Sequence, residues 1–259
     1  VTPPSQLVLT ALPDLPLVSQ GDDLIRIILD GLRRADLALR MGDILAVAQK
    51  IVSKSEGRIV NLKDVRPSKE AEDLAQKTEK DPRLVELILR ESNQVLRTRP
   101  GLIIVEHRLG FICANAGIDA SNVRPESNVT DRSVVLLPVD PDASARKIAQ
   151  RLFQETNAKV GVLIIDSHGR AWREGAVGQT IGAAGLTTVL DLRGTLDLFG
   201  RALQTTRVGI SDELACAASI LMGQAAEGRP VIHIRGFPYP LGDGSLKELL
   251  RPKEKDLFR

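Results

Sequence analysis

The 259-residue chain is 43% hydrophobic and 26% charged with a formal net charge of +2, the balance of a soluble globular protein able to bury a full core as one large domain or two intimate subdomains. Aromatic residues make up 3% and no basic block accompanies the small net charge, which argues against nucleic acid as a partner. No apolar run reaches membrane-spanning length, and residues 1–18 hold neither a basic leader nor a continuous apolar stretch, so a cytoplasmic protein with no membrane association is expected, its Cys113 and Cys216 buried as free thiols.

A first strand is predicted over residues 7–11, interrupted by Pro13, Asp14 and Pro16. Leu24, Ile27, Ile28 and Leu32 have helical spacing, and Gly42-Asp43 turns the chain into a strand over residues 44–48. Lys50, Lys54 and Arg58 then recur at every fourth position, which in a helix places the three cations on one side. Pro67 opens a long helical region running through Leu84, Leu87, Ile88 and Val95, broken near Asp81-Pro82. Residues 102–105 and 110–114 read as a hairpin, 115–128 as irregular, and 134–137 as a strand. A helix starts at Pro141 and reaches Phe153. Residues 160–165 are a buried strand, followed by glycine-rich sequence to Gly185, a helix over 196–203, and a helix capped by Ser211. A loop at 224–228 and a strand at 231–235 complete a mixed α/β (α+β) pattern.

The densest chemistry lies in residues 164–182. The apolar run ends in Asp166, Ser167 and His168, then Arg170 and Arg173 among several glycines. An acid at a strand exit suits a divalent cation, arginine forks grip phosphate or carboxylate, and glycines allow the backbone close to a ligand. Asp119, in a loop rich in Gly, Ser and Asn, is a second acid at a strand exit. The pair either shares one Mg²⁺ or Mn²⁺ or caps separate turns. Lys50, Lys54 and Arg58 either hold phosphates or form a solvated face. Gln224 and Glu227 either reach a ligand or belong to an ordinary helix terminator. The histidines form no HExxH, Ser167 is not in GxSxG, and neither GxxxxGK[ST] nor a dinucleotide GxGxxG is present, so zinc, a serine triad and the standard nucleotide loops are set aside. His168 is read as support for its neighbours.

LPLV at 15–18, AQKIVSKSEGRIV at 48–60, NAGIDASN at 115–122, IIDSHGRAWREGAVGQTIGAAG at 164–185, SDELACAASILMGQAAEG at 211–228 and VIHIRG at 231–236 together resemble the coenzyme F420-0:L-glutamate ligase family, in order and over nearly the whole chain. The resemblance implies a single domain with an unusual mixed-sheet fold, in the form without a C-terminal nitroreductase-like domain, and an intimate homodimer. It implies GTP, L-glutamate and coenzyme F420-0 or F420-1 as substrates, and Mg²⁺ or Mn²⁺ with K⁺ as a further cation. By motif, Asp119, Asp166, Ser167 and Gln224 are the metal ligands. Leu15, Pro16, Leu17, Val18, Gln49, Lys50, Lys54, Asn122 and the run Met222, Gly223, Gln224, Ala225, Ala226, Glu227, Gly228 and Arg229 surround the nucleotide. Lys54, Arg170 and Arg173 are the catalytic candidates, and Asp212 and Glu213 the candidates for a base. The family often carries Asp-Thr-Asn or Asp-Thr-Phe where this chain has Asp166-Ser167-His168; serine keeps the oxygen. Some relatives have an acid at Gln224, and an amide is the weaker cation ligand. The expected activity is amide formation through an acyl phosphate, first on F420-0 and then on F420-1. A metal-dependent phosphatase and a non-catalytic nucleotide-binding scaffold are the rivals.

Overall fold

The computed structural model describes residues 6–120 and 132–257. After strand β1 (Val8–Ala11), helix α1 (Leu24–Arg34) is capped by Asp23, whose carboxylate accepts the Ile25 and Arg26 N–H groups. Next come β2 (Ile44–Ala48), α2 (Gln49–Ser55), β3 (Ile59–Asn61), α3 (Lys69–Thr78) and α4 (Pro82–Arg90). β4 (Ser92–Arg99), β5 (Leu102–His107), β6 (Ile112–Ala114), β7 (Ser133–Val135) and α5 (Pro141–Thr156) lead to the long hairpin of β8 (Gly161–Arg170) and β9 (Arg173–Ala184). The chain finishes through β10 (Leu190–Asp191), β11 (Arg207–Val208), α6 (Ile210–Met222), β12 (Val231–Arg235) and α7 (Leu246–Leu249).

A five-stranded mixed sheet in the order β1-β12-β2-β8-β9 is the framework, with β2 and β8 parallel and the other pairs antiparallel. β2 and the first half of β8 read as continuous aliphatic runs because both faces are covered. Leu45, Val47, Val162 and Ile164 meet Ile28, Leu32, Val52 and Leu152 on one side, while Ile44, Ala46, Leu163 and Ile165 meet Leu214, Ala215 and Ala218 of α6 on the other. A smaller layer packs α3 and α4 on the β4-β5-β6 sheet through Val85, Ile88, Ile103 and Val105.

Several expectations are corrected. The glycine-rich stretch after residue 165 is no loop: β8 continues through Arg170 and pairs with β9, so Asp166 lies within a strand and not at its exit. Two of its glycines serve packing. A Cβ on Gly178 would stand 2.5 Å from the Ala215 carbonyl oxygen of α6, and one on Gly182 would stand 2.5 Å from the Pro141 carbonyl carbon of α5. Val95 belongs to β4, not to the preceding helix, which ends at Arg90. Residues 196–203 form no helix. The Asp197 carboxylate accepts the Phe199 and Arg201 N–H groups, and Gly200 takes φ 77°, which closes a turn bridged by Leu196 and Ala202. α6 starts one residue before Ser211 with Gly209 at its cap, and buried Ser211 hydrogen-bonds the Thr188 carbonyl instead. Cys113 is buried, whereas Cys216 is only half-buried.

Candidate active site

The turn after β6 takes three successive positive φ values, at Asn115, Ala116 and Gly117. Asp119 follows it, held by two backbone bonds with Val135 at 3.0 and 2.8 Å. Asp166 and Ser167 come from β8. Gln224 lies just past Gly223, the φ 73° residue that ends α6. The φ of 73° favours glycine at 223, and the exposed Glu227 carboxylate, which folds back to accept the Ala225 N–H at 2.8 Å, lies where a Cβ would stand and would have to swing aside.

These distant segments meet. One cavity of about 240 Å³ is lined by Lys50, Asp119, Asp166, Ser167, His168 and Gln224, among others. The Lys50 ammonium is 2.7 Å from Asp119 Oδ2, and the Ser167 hydroxyl donates to Gln224 Oε1 at 2.6 Å. His168 Nε2 lies 3.0 Å from Asp166 Oδ2 and Nδ1 lies 3.2 Å from Gln179 Oε1. Burial alone would push the His168 pKa down; the hydrogen bond and charge of Asp166, with Gln179 and Asp212, overcome it and hold it above its ordinary value. Lys54 is shifted the other way, lowered by burial and by neighbouring Lys50 against the pull of Asp119.

Among the described residues no group of three His, Cys, Asp or Glu side chains is placed to hold a metal. The cavity instead presents two carboxylates, a hydroxyl and an amide oxygen, a donor set that fits a hard divalent cation.

Residues expected around a nucleotide border helix α2. The Ala48 N–H bonds the Pro230 carbonyl at 2.8 Å, bringing the 222–229 run beside the helix start, and the Gly21 N–H bonds the Ser55 carbonyl at 3.1 Å, tying the loop after residues 15–18 to its end. Met222 is buried and Ala225, Ala226, Glu227, Gly228 and Arg229 are exposed. Leu15 packs beside Gly31, Val18 is buried in the core and Leu17 is exposed. Gln49 is buried. Its Oε1 accepts the Ser53 hydroxyl at 2.9 Å, and its Nε2 has no partner among the described residues. Asn122 lies outside the described residues.

Not every candidate joins. Arg58 leaves the Lys50–Lys54 side because α2 ends at Ser55 and Gly57 turns the chain; its guanidinium bonds the Leu137 carbonyl and Glu91. Arg170 and Arg173 pair across the exposed tip of the β8–β9 hairpin, and neither lines the cavity. Gln179, the brace on His168, was not singled out from sequence; the strand pairing that sets it opposite Asp166 was hidden by reading β9 as a loop.

Comparison with known proteins defines the class as an enzyme, a ligase. The particular group follows: the chain belongs to the F420-0:Gamma-glutamyl ligase family, whose model matches residues 14–236. It is 49% identical to the coenzyme F420:L-glutamate ligase of Methanothermobacter thermautotrophicus over 247 residues, 95% of this chain and 96% of that one. Similarity to proteins of the same name is 44% over 225 residues in Methanocaldococcus jannaschii (87% of this chain, 88% of that one) and 40% over 245 residues in Archaeoglobus fulgidus (95% and 93%). No helix among the described residues is long and apolar enough to cross a membrane.

Proposed function

We propose that the chain is a GTP-dependent ligase that joins L-glutamate to coenzyme F420-0 and then a second glutamate to F420-1 through the γ-carboxylate. The observation that carries this reading is the gathering of Lys50, Asp119, Asp166, Ser167 and Gln224 around one cavity, from segments that have no contact along the chain.

A carboxylate and an ammonium group do not condense in water without activation. In the proposed sequence a carboxylate oxygen of the deazaflavin substrate attacks the γ-phosphorus of GTP and GDP leaves. The glutamate nitrogen then attacks the acyl carbon, phosphate departs, and the ammonium proton passes to a base. Asp119, Asp166, Ser167 and Gln224 would hold Mg²⁺ or Mn²⁺, which when bound would supply charge neutralisation for the phosphates, and K⁺ is the further cation of the proposal. Lys50 and Lys54 attract the triphosphate. Partial burial strips water from Lys54, which strengthens its interaction with an anion. Gln49 Nε2, without a partner among the described residues, is a buried donor suited to the nucleotide. Arg170 and Arg173, at the exposed hairpin tip, take a substrate carboxylate outside the cavity. A homodimer is part of the proposal, and the adjacent Leu198 and Phe199, 98 and 88% exposed in the single chain, are its candidate contact residues.

The test is incubation with F420-0, L-glutamate, GTP and Mn²⁺. GDP, phosphate and products heavier by one and two glutamyl residues are expected. A folded protein that releases phosphate without needing glutamate would be a phosphatase, and the reading would fail.

A further inference from the structure

A second cavity, also about 240 Å³, shares the His168 side chain with the first. Its outer wall comes from the segment after β12, including Leu246, Leu250 and Arg251. That wall is fixed in place: the Leu246 N–H bonds both Asp142 carboxylate oxygens at 3.1 and 3.2 Å, the Thr188 hydroxyl donates to Glu248 at 2.6 Å, and Lys253 pairs with Glu106 at 2.8 Å.

Two polar groups on the lining, Thr180 and Asp212, have unused hydrogen-bonding capacity among the described residues, and a third, Arg251, reaches solvent. Thr180 is 4% exposed and its buried Oγ1 has no hydrogen-bond partner among the described residues. A buried hydroxyl in that state costs stability unless something else completes it. Asp212 uses Oδ1 to accept the Thr180 N–H at 2.9 Å, and its second oxygen makes no hydrogen bond among the described residues. Arg251 is exposed and forms no ion pair among them. Arg251, the carboxylates of Asp212 and Asp256, and the neutral Thr180 and Gln179 around a small space suit a small zwitterion, its ammonium facing the acids and a carboxylate facing Arg251.

Resting on the ligase reading above, we infer that this second cavity is the pocket for the incoming L-glutamate, with Arg251 taking a carboxylate, Asp212 the ammonium group and the Thr180 hydroxyl completing a hydrogen bond to the bound amino acid. The space accommodates an amino acid, and since both cavities have the same volume, it is the arginine set beside carboxylates that distinguishes this one as the glutamate pocket. Position agrees, since His168 forms a wall common to both cavities.

The test is calorimetric titration of L-glutamate, and of glutarate, into the wild type, Arg251→Ala and Asp212→Asn, beside steady-state kinetics. Arg251→Ala should weaken glutamate binding and raise its KM by about tenfold or more, with the KM for GTP and for F420-0 within about twofold of wild type. Wild type should prefer glutamate over glutarate, which lacks the ammonium group, and Asp212→Asn, which keeps the acceptor for the Thr180 N–H, should erase most of that preference. Unchanged glutamate binding in Arg251→Ala, or a raised KM for F420-0 in its place, overturns the pocket assignment while leaving the ligase reading intact. Glutamate binding lost in Arg251→Ala alongside a wild type that never forms an amide would sink the ligase reading and keep the pocket.

Discussion

The Lys50 ammonium lies 2.7 Å from Asp119 Oδ2 and joins helix α2 to the turn after β6. Both side chains are partly exposed, 26 and 32%, and ion pairs in such settings contribute about 1 kcal/mol or less. The pair therefore does little for folding, and its value lies in holding opposite charges at one cavity. Asp119→Asn is expected to leave the melting temperature within about 4 °C of wild type, because the backbone bonds to Val135 persist. Glutamate-dependent GDP release should fall roughly 100-fold or more, since the lost carboxylate is part of the proposed metal shell. Normal turnover in this variant would remove Asp119 from the mechanism.

Glycines of the β8–β9 hairpin separate into two kinds. Gly182→Ala drives a methyl to within 2.5 Å of the Pro141 backbone, whereas a Cβ at Gly169, on the cavity lining, meets nothing within 4 Å. Backbone cannot yield as a flexible side chain can, so Gly182→Ala should cost about 1–3 kcal/mol by overpacking. Gly169→Ala should change stability by less than about 0.5 kcal/mol. Denaturant midpoints of the two variants decide this; equal losses would mean that α5 slides freely on β9.

Those glycines also show where sequence legibility ended. The aliphatic run at 44–48 was readable as a strand because burial on both faces leaves no polar position, and 231–235 was readable in spite of buried His233, whose ring pairs with Asp43. The residues 160–165 gave only the buried half of β8, since its second half carries polar and glycine residues that look like a loop. β9 was lost for the same reason: Gly178 and Gly182 are small because helices press on them, a tertiary demand that no local pattern displays. The site residues fared differently. Asp119, Asp166 and Gln224 were named through a family resemblance, and spacing alone left each of them balanced against an ordinary capping role. The pairing of β8 with β9, the turn at Gly223, and the turn after β6 with its backbone bonds to Val135 bring them to one cavity.

His107 sets a pH dependence. It is buried, stacked on Phe111 with ring centroids 5.2 Å apart, and its Nδ1 accepts the Leu109 N–H at 3.0 Å, so the neutral ring carries its proton on Nε2. Burial above all, with the positive charges of His168, Arg58 and Arg108, lowers its pKa from 6.5 to about 4. The unfolded chain accepts a proton there as pH drops through 6.5, whereas the folded chain resists until about 4. Stability is therefore full above the unfolded value and is lost as pH falls through that window, by at most about 3 kcal/mol. His107→Gln should flatten the decline. Unfolding free energies from urea titrations between about pH 7 and about pH 4.5 should fall more steeply for wild type than for the variant, and parallel curves would count against the buried neutral ring.

Gln224 offers the sharpest reading of the metal proposal. Its Oε1 already accepts the Ser167 hydroxyl at 2.6 Å at the cavity shared with Asp119 and Asp166. Gln224→Glu keeps an oxygen there and adds a negative charge, and hard cations favour carboxylate over amide. The change also leaves the Ser167 hydroxyl a stronger, charged acceptor. Mn²⁺ affinity, followed by the loss of the free-ion paramagnetic resonance signal, should rise about tenfold or more in Gln224→Glu. It should fall in Gln224→Met, which removes the oxygen at nearly constant volume. Tighter metal need not mean faster turnover, because an added charge also repels the nucleotide phosphates; a raised KM for GTP is expected beside the tighter Mn²⁺. Identical Mn²⁺ affinity across glutamine, glutamate and methionine would show that residue 224 stands outside the reach of the ion, and would leave Asp119, Asp166 and Ser167 as the only side-chain ligands proposed.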